Sequence, residues 1–269
     1  MTAILFDLDG VLYEGGRAIA GAGAVIEWFE QRRIPHLFLT NTTSKPRSSL
    51  VEKLAGFGIH TDPDSFLTPA IAATHWLKQH VAGRVALFTP AATRADFTDL
   101  QLCDDKAESG AAAVVIGDLG EAWDFNTLNR AFRLLHSNPE AKLVALGMTR
   151  YWRAADGLRL DTAPFVKALQ HATDREVVVL GKPARDFYRA AIDMLQQQPA
   201  DTLMIGDDIR GDIEGAQQAG LRAILVGSGK FQPGDLDLGI TPDAFLDTVA
   251  ALPDWWLEHI GTADQTGFS

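Results

Sequence analysis

The sequence predicts an α/β protein with mostly parallel sheets, and three observations predict it. Short apolar runs alternate with segments of helical period from residue 3 to residue 226. The runs are apolar throughout, as in strands buried on both faces. Four of them end in polar clusters, and ligands of open parallel sheets bind at the carboxyl ends of the strands.

The elements follow in order. Ala3–Phe6 reads as a short buried strand, and Ala20–Gln31 as a helix with Ala24, Val25, Trp28 and Phe29 on one face. His36–Thr40 is a second strand. Pro46 sits at a helix start, and Ser48–Phe57 continues in helical period. Phe66–Leu67 is a short strand and Ala70–His80 a helix. Val85–Phe88, Ala112–Ile116 and Leu143–Leu146 have strand length, and Phe125–His136 and Ala163–His171 have helical pattern. Val177–Leu180 is a strand running into Gly181-Lys182-Pro183. Ala184–Gln197, Thr202–Ile205, Ile213–Ala219 and Ala223–Val226 continue the alternation as helix, strand, helix and strand. Residues 263–269 are polar and read as a flexible tail.

Composition narrows the class. The 269 residues are 46% hydrophobic and 22% charged, which suits a soluble globular protein with a sizeable core. The net charge is −11, and no basic run suggests a nucleic-acid footprint. An acidic surface repels anions at long range, so capture of an anionic substrate needs a local metal, lysine or helix N-terminus. The single cysteine, Cys103, forms no internal disulfide and suits a reducing cytoplasm. The start of the chain does not read as a signal peptide, and no apolar run of about 20 residues predicts a membrane span.

The four polar clusters are Asp7-Leu8-Asp9-Gly10, Thr40-Asn41, Gly181-Lys182-Pro183 and Gly206-Asp207-Asp208. If the four preceding strands lie side by side, three or more carboxylates, a hydroxyl and an ammonium converge. Bare buried carboxylates cost several kcal/mol each, on the order set by desolvation. A hard divalent cation resolves that cost, and Mg²⁺ takes one or two carboxylates while leaving room for phosphate oxygens. Asp7 and Asp207 are the side-chain ligands of choice, with the Asp9 carbonyl as a third oxygen. Lys182, Thr40 and N–H groups near Asn41 and Gly10 then hold a phosphoryl group. Asp7 is the expected nucleophile. Asp9, two residues on along an extended chain and so on the same side, is the expected acid/base.

These motifs and their order resemble the haloacid dehalogenase superfamily of phosphatases. Its DxDG motif is here Asp7-Leu8-Asp9-Gly10, its Thr/Ser motif is Thr40, its lysine is Lys182, and its GDxxxxD motif is Gly206 to Asp212. The resemblance implies a Rossmann-like core formed by residues 1–75 and 178–262, with an α/β cap of the larger, C2 type inserted at residues 76–177. That is the plan of subfamily IIA, the NagD-like proteins. "TNTTSKPRSSLVEKLAGFGI" and "MIGDDIRGDIEGAQQAGLRAILVGSGKFQPGD" further resemble the branch of the phospholysine phosphohistidine inorganic pyrophosphate phosphatases. The function so implied is Mg²⁺-dependent hydrolysis of a small phosphorylated molecule, with phosphoramidates or pyrophosphate among the candidates. Caps of this type often dimerise, which makes a homodimer through the cap the expected assembly.

Other readings stand beside these. Asp7 and Asp9 alone would read as a turn, Lys182 as a solvated helix start, and Thr40-Asn41 as a helix cap. Asp208 and Asp212 are assigned to supporting the ligands or to capping a helix, with metal contact as the alternative. Gly147 to Trp152 is either core and turn or a substrate-reading segment; Arg150, Tyr151 and Arg153 are its candidates. A phosphoryl transferase or mutase shares the chemistry, but such mutases carry a small helical cap near residue 15, and residues 14–20 leave little room for one. A silent binding protein on the same fold would have lost one of Asp7, Asp9, Lys182 or Asp207. The sequence holds no GxxxxGK[ST], no GxSxG and no histidine spacing suited to zinc.

Overall fold

The computed structural model describes residues 2–154 and 156–261, apart from the side chain of Arg153. The chain divides into two compact units. One comprises residues 1–40, 51–66 and 191–269, and the other residues 41–50 and 67–190. The expected tail, residues 263–269, lies outside the described residues.

The first unit is built on a six-stranded sheet. Its order is Ala244–Leu246, Arg222–Val226, Thr202–Gly206, Ala3–Asp7, His36–Leu39 and Phe66–Leu67. The first five run parallel. Residues of Ala3–Asp7 are all buried, as their continuous apolar run requires. Phe6 packs edge-on against Phe29 of helix Ala22–Gln31, at 5.7 Å between ring centroids, and Phe29 packs against the buried Trp256 at 5.2 Å. The Trp255-Trp256 pair therefore contributes one ring to the core. Between Gly10 and Ala22 the chain forms only the two-residue antiparallel ribbon Tyr13–Glu14 with Arg17–Ala18.

The second unit holds a four-stranded parallel sheet in the order Val177–Val179, Lys142–Ala145, Ala113–Ile116 and Val85–Phe88. Helices Phe125–His136 and Thr162–Thr173 bury Ala131, Leu134, Leu135, Val166 and Leu169 in its core. Asp124 caps the first helix by accepting the Thr127 N–H at 2.7 Å. Tyr151–Ala154 and Gly157–Leu160 pair as an antiparallel hairpin that the sequence pattern does not reveal. Its side chains Tyr151, Trp152, Leu158 and Leu160 are exposed. Among the described residues, no helix is long and apolar enough to cross a membrane.

One premise of the sequence reading is corrected. The four strands before the polar clusters do not share a sheet: Val177–Val179 pairs with Lys142–Ala145 in the second unit's sheet, register Val178 to Val144. The apolar run "VVVL" carries no mark of which parallel sheet it joins. The α/β class itself is confirmed.

Candidate active site

Parallel register sets the site in the first unit. Phe6 lies level with Ile205, Asp7 with Leu39, and Gly206 with Leu225. The carboxyl ends of four adjacent strands therefore reach one edge. They deliver Asp7, Asp207, Thr40 and the segment Gly227-Ser228-Gly229-Lys230.

Asp7, Asp207 and Asp212 form a cluster. One carboxylate oxygen from each lies within 4.8 Å of the other two, and all three residues are buried. Three buried carboxylates at that spacing repel unless a cation or protons intervene. All the donors are oxygens, the set that suits a hard divalent cation. The residues present thus fit such an ion, with Asp7, Asp207 and Asp212 to hold it.

Asp212 reaches the cluster through the turn that carries it. Asp208 accepts the N–H groups of Arg210 and Gly211 at 3.1 and 2.8 Å, which starts the π-helical turn Ile209–Glu214. The Asp208 carbonyl accepts from both Asp212 N–H and Ile213 N–H, at 2.8 and 3.3 Å. The wider turn swings Asp212 inward, where its Oδ2 accepts the N–H groups of Asp207 and Asp208, both at 3.2 Å. The expected helix Ile213–Ala219 is replaced by this turn followed by Gly215–Gln218. Gly206 makes the fit sterically feasible, since a Cβ there would lie 2.1 Å from the Cβ of Asp212.

Asp9 is exposed and lies beyond the strand, which ends at Asp7. Its backbone forms a bridge with Tyr13, and the Gly10 N–H donates to the Tyr13 carbonyl at 2.7 Å. Strand alternation thus does not set the direction of Asp9. The buried Leu8, Val11 and Leu12 anchor the loop that carries it.

Two contacts from the segment after Arg222–Val226 complete this edge. The Lys230 N–H donates to Asp207 Oδ2 at 2.7 Å, and the Ser228 hydroxyl donates to the Gly10 carbonyl at 2.6 Å. The Lys230 ammonium also pairs with Asp208 at 3.6 Å. Sequence reasoning missed Ser228 and Lys230. The available signal was "GSGK" following an apolar strand.

Asn41 and Lys182 both belong to the second unit, where the Asn41 amide meets the main chain of Lys182. Arg150 and Tyr151 are exposed, with the guanidinium 6.0 Å from the ring centroid. The side chain of Arg153 lies outside the described residues.

Comparison with known proteins agrees with this architecture. The profile described as haloacid dehalogenase-like hydrolase matches residues 4–103, and a second, HAD-hydrolase-like, matches residues 179–252. The chain is 35% identical to the phospholysine phosphohistidine inorganic pyrophosphate phosphatase of Rattus norvegicus, over 96% of this chain and 94% of that protein. A hypothetical protein of Pyrococcus horikoshii OT3 superposes with a TM-score of 0.86 at 26% identity, covering 95% of this chain and 99% of the other. NagD of E. coli K-12 shares the fold, with a TM-score of 0.81 at 22% identity over 93% and 97% of the two chains.

Proposed function

The chain belongs to the haloacid dehalogenase-like hydrolases, and on that premise we propose that it is a Mg²⁺-dependent phosphatase acting through an aspartyl-phosphate on Asp7. The observation that carries this reading is the convergence of the buried Asp7, Asp207 and Asp212 carboxylates at the carboxyl edge of a parallel sheet. Asp7, Asp207 and the Asp9 carbonyl would hold the cation, and Asp212, which accepts the Asp207 N–H, would add a further oxygen. When bound, Mg²⁺ offsets the carboxylate charge and polarises a phosphoryl oxygen.

The chain's own residues then divide the work. The Asp7 carboxylate attacks phosphorus, the bond from phosphorus to the leaving atom (oxygen in an ester or pyrophosphate, nitrogen in a phosphoramidate) breaks, and Asp9 gives that atom its proton. Asp9, now ionised, takes a proton from water as the water oxygen attacks phosphorus. The bond from phosphorus to Asp7 breaks, inorganic phosphate leaves, and both carboxyl groups return to their starting states. The Thr40 hydroxyl, the Asn41 N–H and the Lys182 ammonium are assigned to the phosphoryl oxygens on their sequence motifs.

The substrate proposed is a small phosphorylated molecule, with phosphoramidates and pyrophosphate as the first candidates. The name of the rat relative supports that choice. Arg150, Tyr151 and Arg153 are proposed to read the rest of the substrate. A homodimer through the second unit is proposed as the assembly, supported by the exposed apolar side chains of the 151–160 hairpin. No nucleic-acid or membrane partner is proposed, and the lone cysteine supports a cytoplasmic location. The test is phosphate release, with Mg²⁺, from a panel of phosphate esters, phosphoramidates and pyrophosphate. Release from none of them, p-nitrophenyl phosphate included, would overturn the reading.

A further inference from the structure

Asn41 and Lys182 lie 141 positions apart, yet the side chain of one grips the main chain of the other. Asn41 Oδ1 accepts the Lys182 N–H at 2.7 Å, and Asn41 Nδ2 donates to the Lys182 carbonyl at 2.9 Å. Both distances are ordinary for amide hydrogen bonds. An amide paired with both polar groups of one residue defines that residue's place and orientation, much as a neighbouring strand would.

The surroundings are built for the same closeness. A Cβ on Gly181 would lie 2.6 Å from the Leu146 carbonyl oxygen and 3.2 Å from Asn41 Oδ1. The Leu180 N–H donates to the Ala145 carbonyl at 2.8 Å, and the Ala184 N–H to the Gly181 carbonyl at 2.9 Å. The backbone is therefore held before, at and after Lys182. A lysine side chain is a flexible four-carbon stem, so its root must be located by the main chain.

We infer that Asn41 is a positioning residue for Lys182, its side-chain amide anchoring the root of the lysine while its main-chain N–H keeps the phosphoryl contact. The inference rests on the reading of Lys182 as the ammonium that holds the phosphoryl group. Aspartate at position 41 would keep an acceptor, lose the donor, and set a negative charge against the Lys182 carbonyl. Alanine would lose both bonds.

A double-mutant cycle tests this, with kcat and KM measured on p-nitrophenyl phosphate. Lys182→Ala should lower kcat/KM by about 10²-fold or more, as loss of a donor to developing charge does. Asn41→Ala should lower it by roughly 10- to 100-fold, the cost of misplacing the lysine, while the two lost hydrogen bonds lower Tm by only a few degrees and the protein stays folded at the assay temperature. On the Lys182→Ala background, Asn41→Ala should cost no more than about twofold, because residues acting as one unit are not additive. Asn41→Asp should behave as Asn41→Ala, and it carries the same cycle should the alanine variant fail to fold. Equal losses on both backgrounds, or wild-type kinetics in both Asn41 variants, would overturn the inference alone. Full activity in Lys182→Ala would overturn the assignment of the lysine, and this inference with it.

Discussion

Gly10 passes so close to Asp207 that a Cβ on it would lie 2.0 Å from the Asp207 Oδ2 oxygen. Its φ of +90° is also one that side-chain-bearing residues rarely adopt. Gly10→Ala must therefore displace either the Asp207 carboxylate or the loop that carries Asp9. Backbone strain alone costs about 1–3 kcal/mol, and a 1 Å misplacement in an active site costs about 10²-fold in rate. Turnover of p-nitrophenyl phosphate should fall by about that factor, and calorimetry should show weaker Mg²⁺ binding. Wild-type values for both would mean that the Asp207 carboxylate has slack at this contact.

The two motif aspartates should respond differently. Asp7→Asn replaces the attacking carboxylate with a weakly nucleophilic amide and should abolish turnover. Asp9→Asn leaves the nucleophile in place and should slow turnover by roughly 10²–10⁴-fold, the usual worth of general acid/base catalysis. With an activated leaving group that needs little protonation, the Asp9→Asn defect should shrink, and steady-state kinetics over a leaving-group series would show it. A defect that stays constant across the series would sink the acid role of Asp9.

These assignments show what a sequence can and cannot disclose. Asp7 and Asp207 were legible because each ends an apolar run, and an ionisable residue at the carboxyl end of a buried strand has few structural uses. Helix Phe125–His136 was legible to the residue from its period, and the structure caps it with Asp124. The hairpin of Tyr151–Ala154 and Gly157–Leu160 was not: its strands are short, and the alternating Leu158 and Leu160 of "GLRL" face solvent, the reverse of a half-buried strand. Ser228 and Lys230 act through one hydroxyl and one backbone N–H, and a main-chain donor leaves no mark on residue type. The place of Asp212 depends on a π-turn, which the pattern read as the helix Ile213–Ala219 does not show.

Asp208 and Asp212 lie four positions apart in one motif and should separate in experiment. Asp212 is buried in the carboxylate cluster and also receives two main-chain N–H groups. Asp212→Asn should raise the Mg²⁺ concentration needed for half-maximal activity by at least about tenfold, given losses of 1.5–3 kcal/mol for hydrogen bonds to a charged group. Asp208 caps the turn, and Asp208→Ala should cost about 1 kcal/mol of stability. Chelation by EDTA should silence the wild-type enzyme, and added Mg²⁺ should restore it. Activity that persists without metal would refute the site as drawn, and equal Mg²⁺ requirements in the two variants would refute the distinction.

Stability of the second unit should depend far more on one ion pair than on another of similar length. Asp96 is buried and accepts from both the side-chain Nε and the main-chain N–H of Arg47, at 3.2 and 3.4 Å. Its carbonyl accepts the Thr74 hydroxyl at 3.1 Å. Lys78 and Asp99 pair at 3.1 Å, but their side chains are 43% and 79% exposed. Water and salt screen the exposed pair, which should be worth less than about 1 kcal/mol. Removing Asp96 takes away a buried carboxylate and both of its hydrogen bonds to Arg47, whose side chain is 17% exposed, at a cost of about 3 kcal/mol. At 2–4 °C per kcal/mol for a chain of roughly this size, Asp96→Ala should lower Tm by about 6–12 °C. Asp99→Ala should shift it by less than about 4 °C. Paired thermal melts at low and high salt separate the cases, since only the small Asp99 effect should fade with salt. Equal shifts in the two variants would mean that burial does not decide the worth of these pairs.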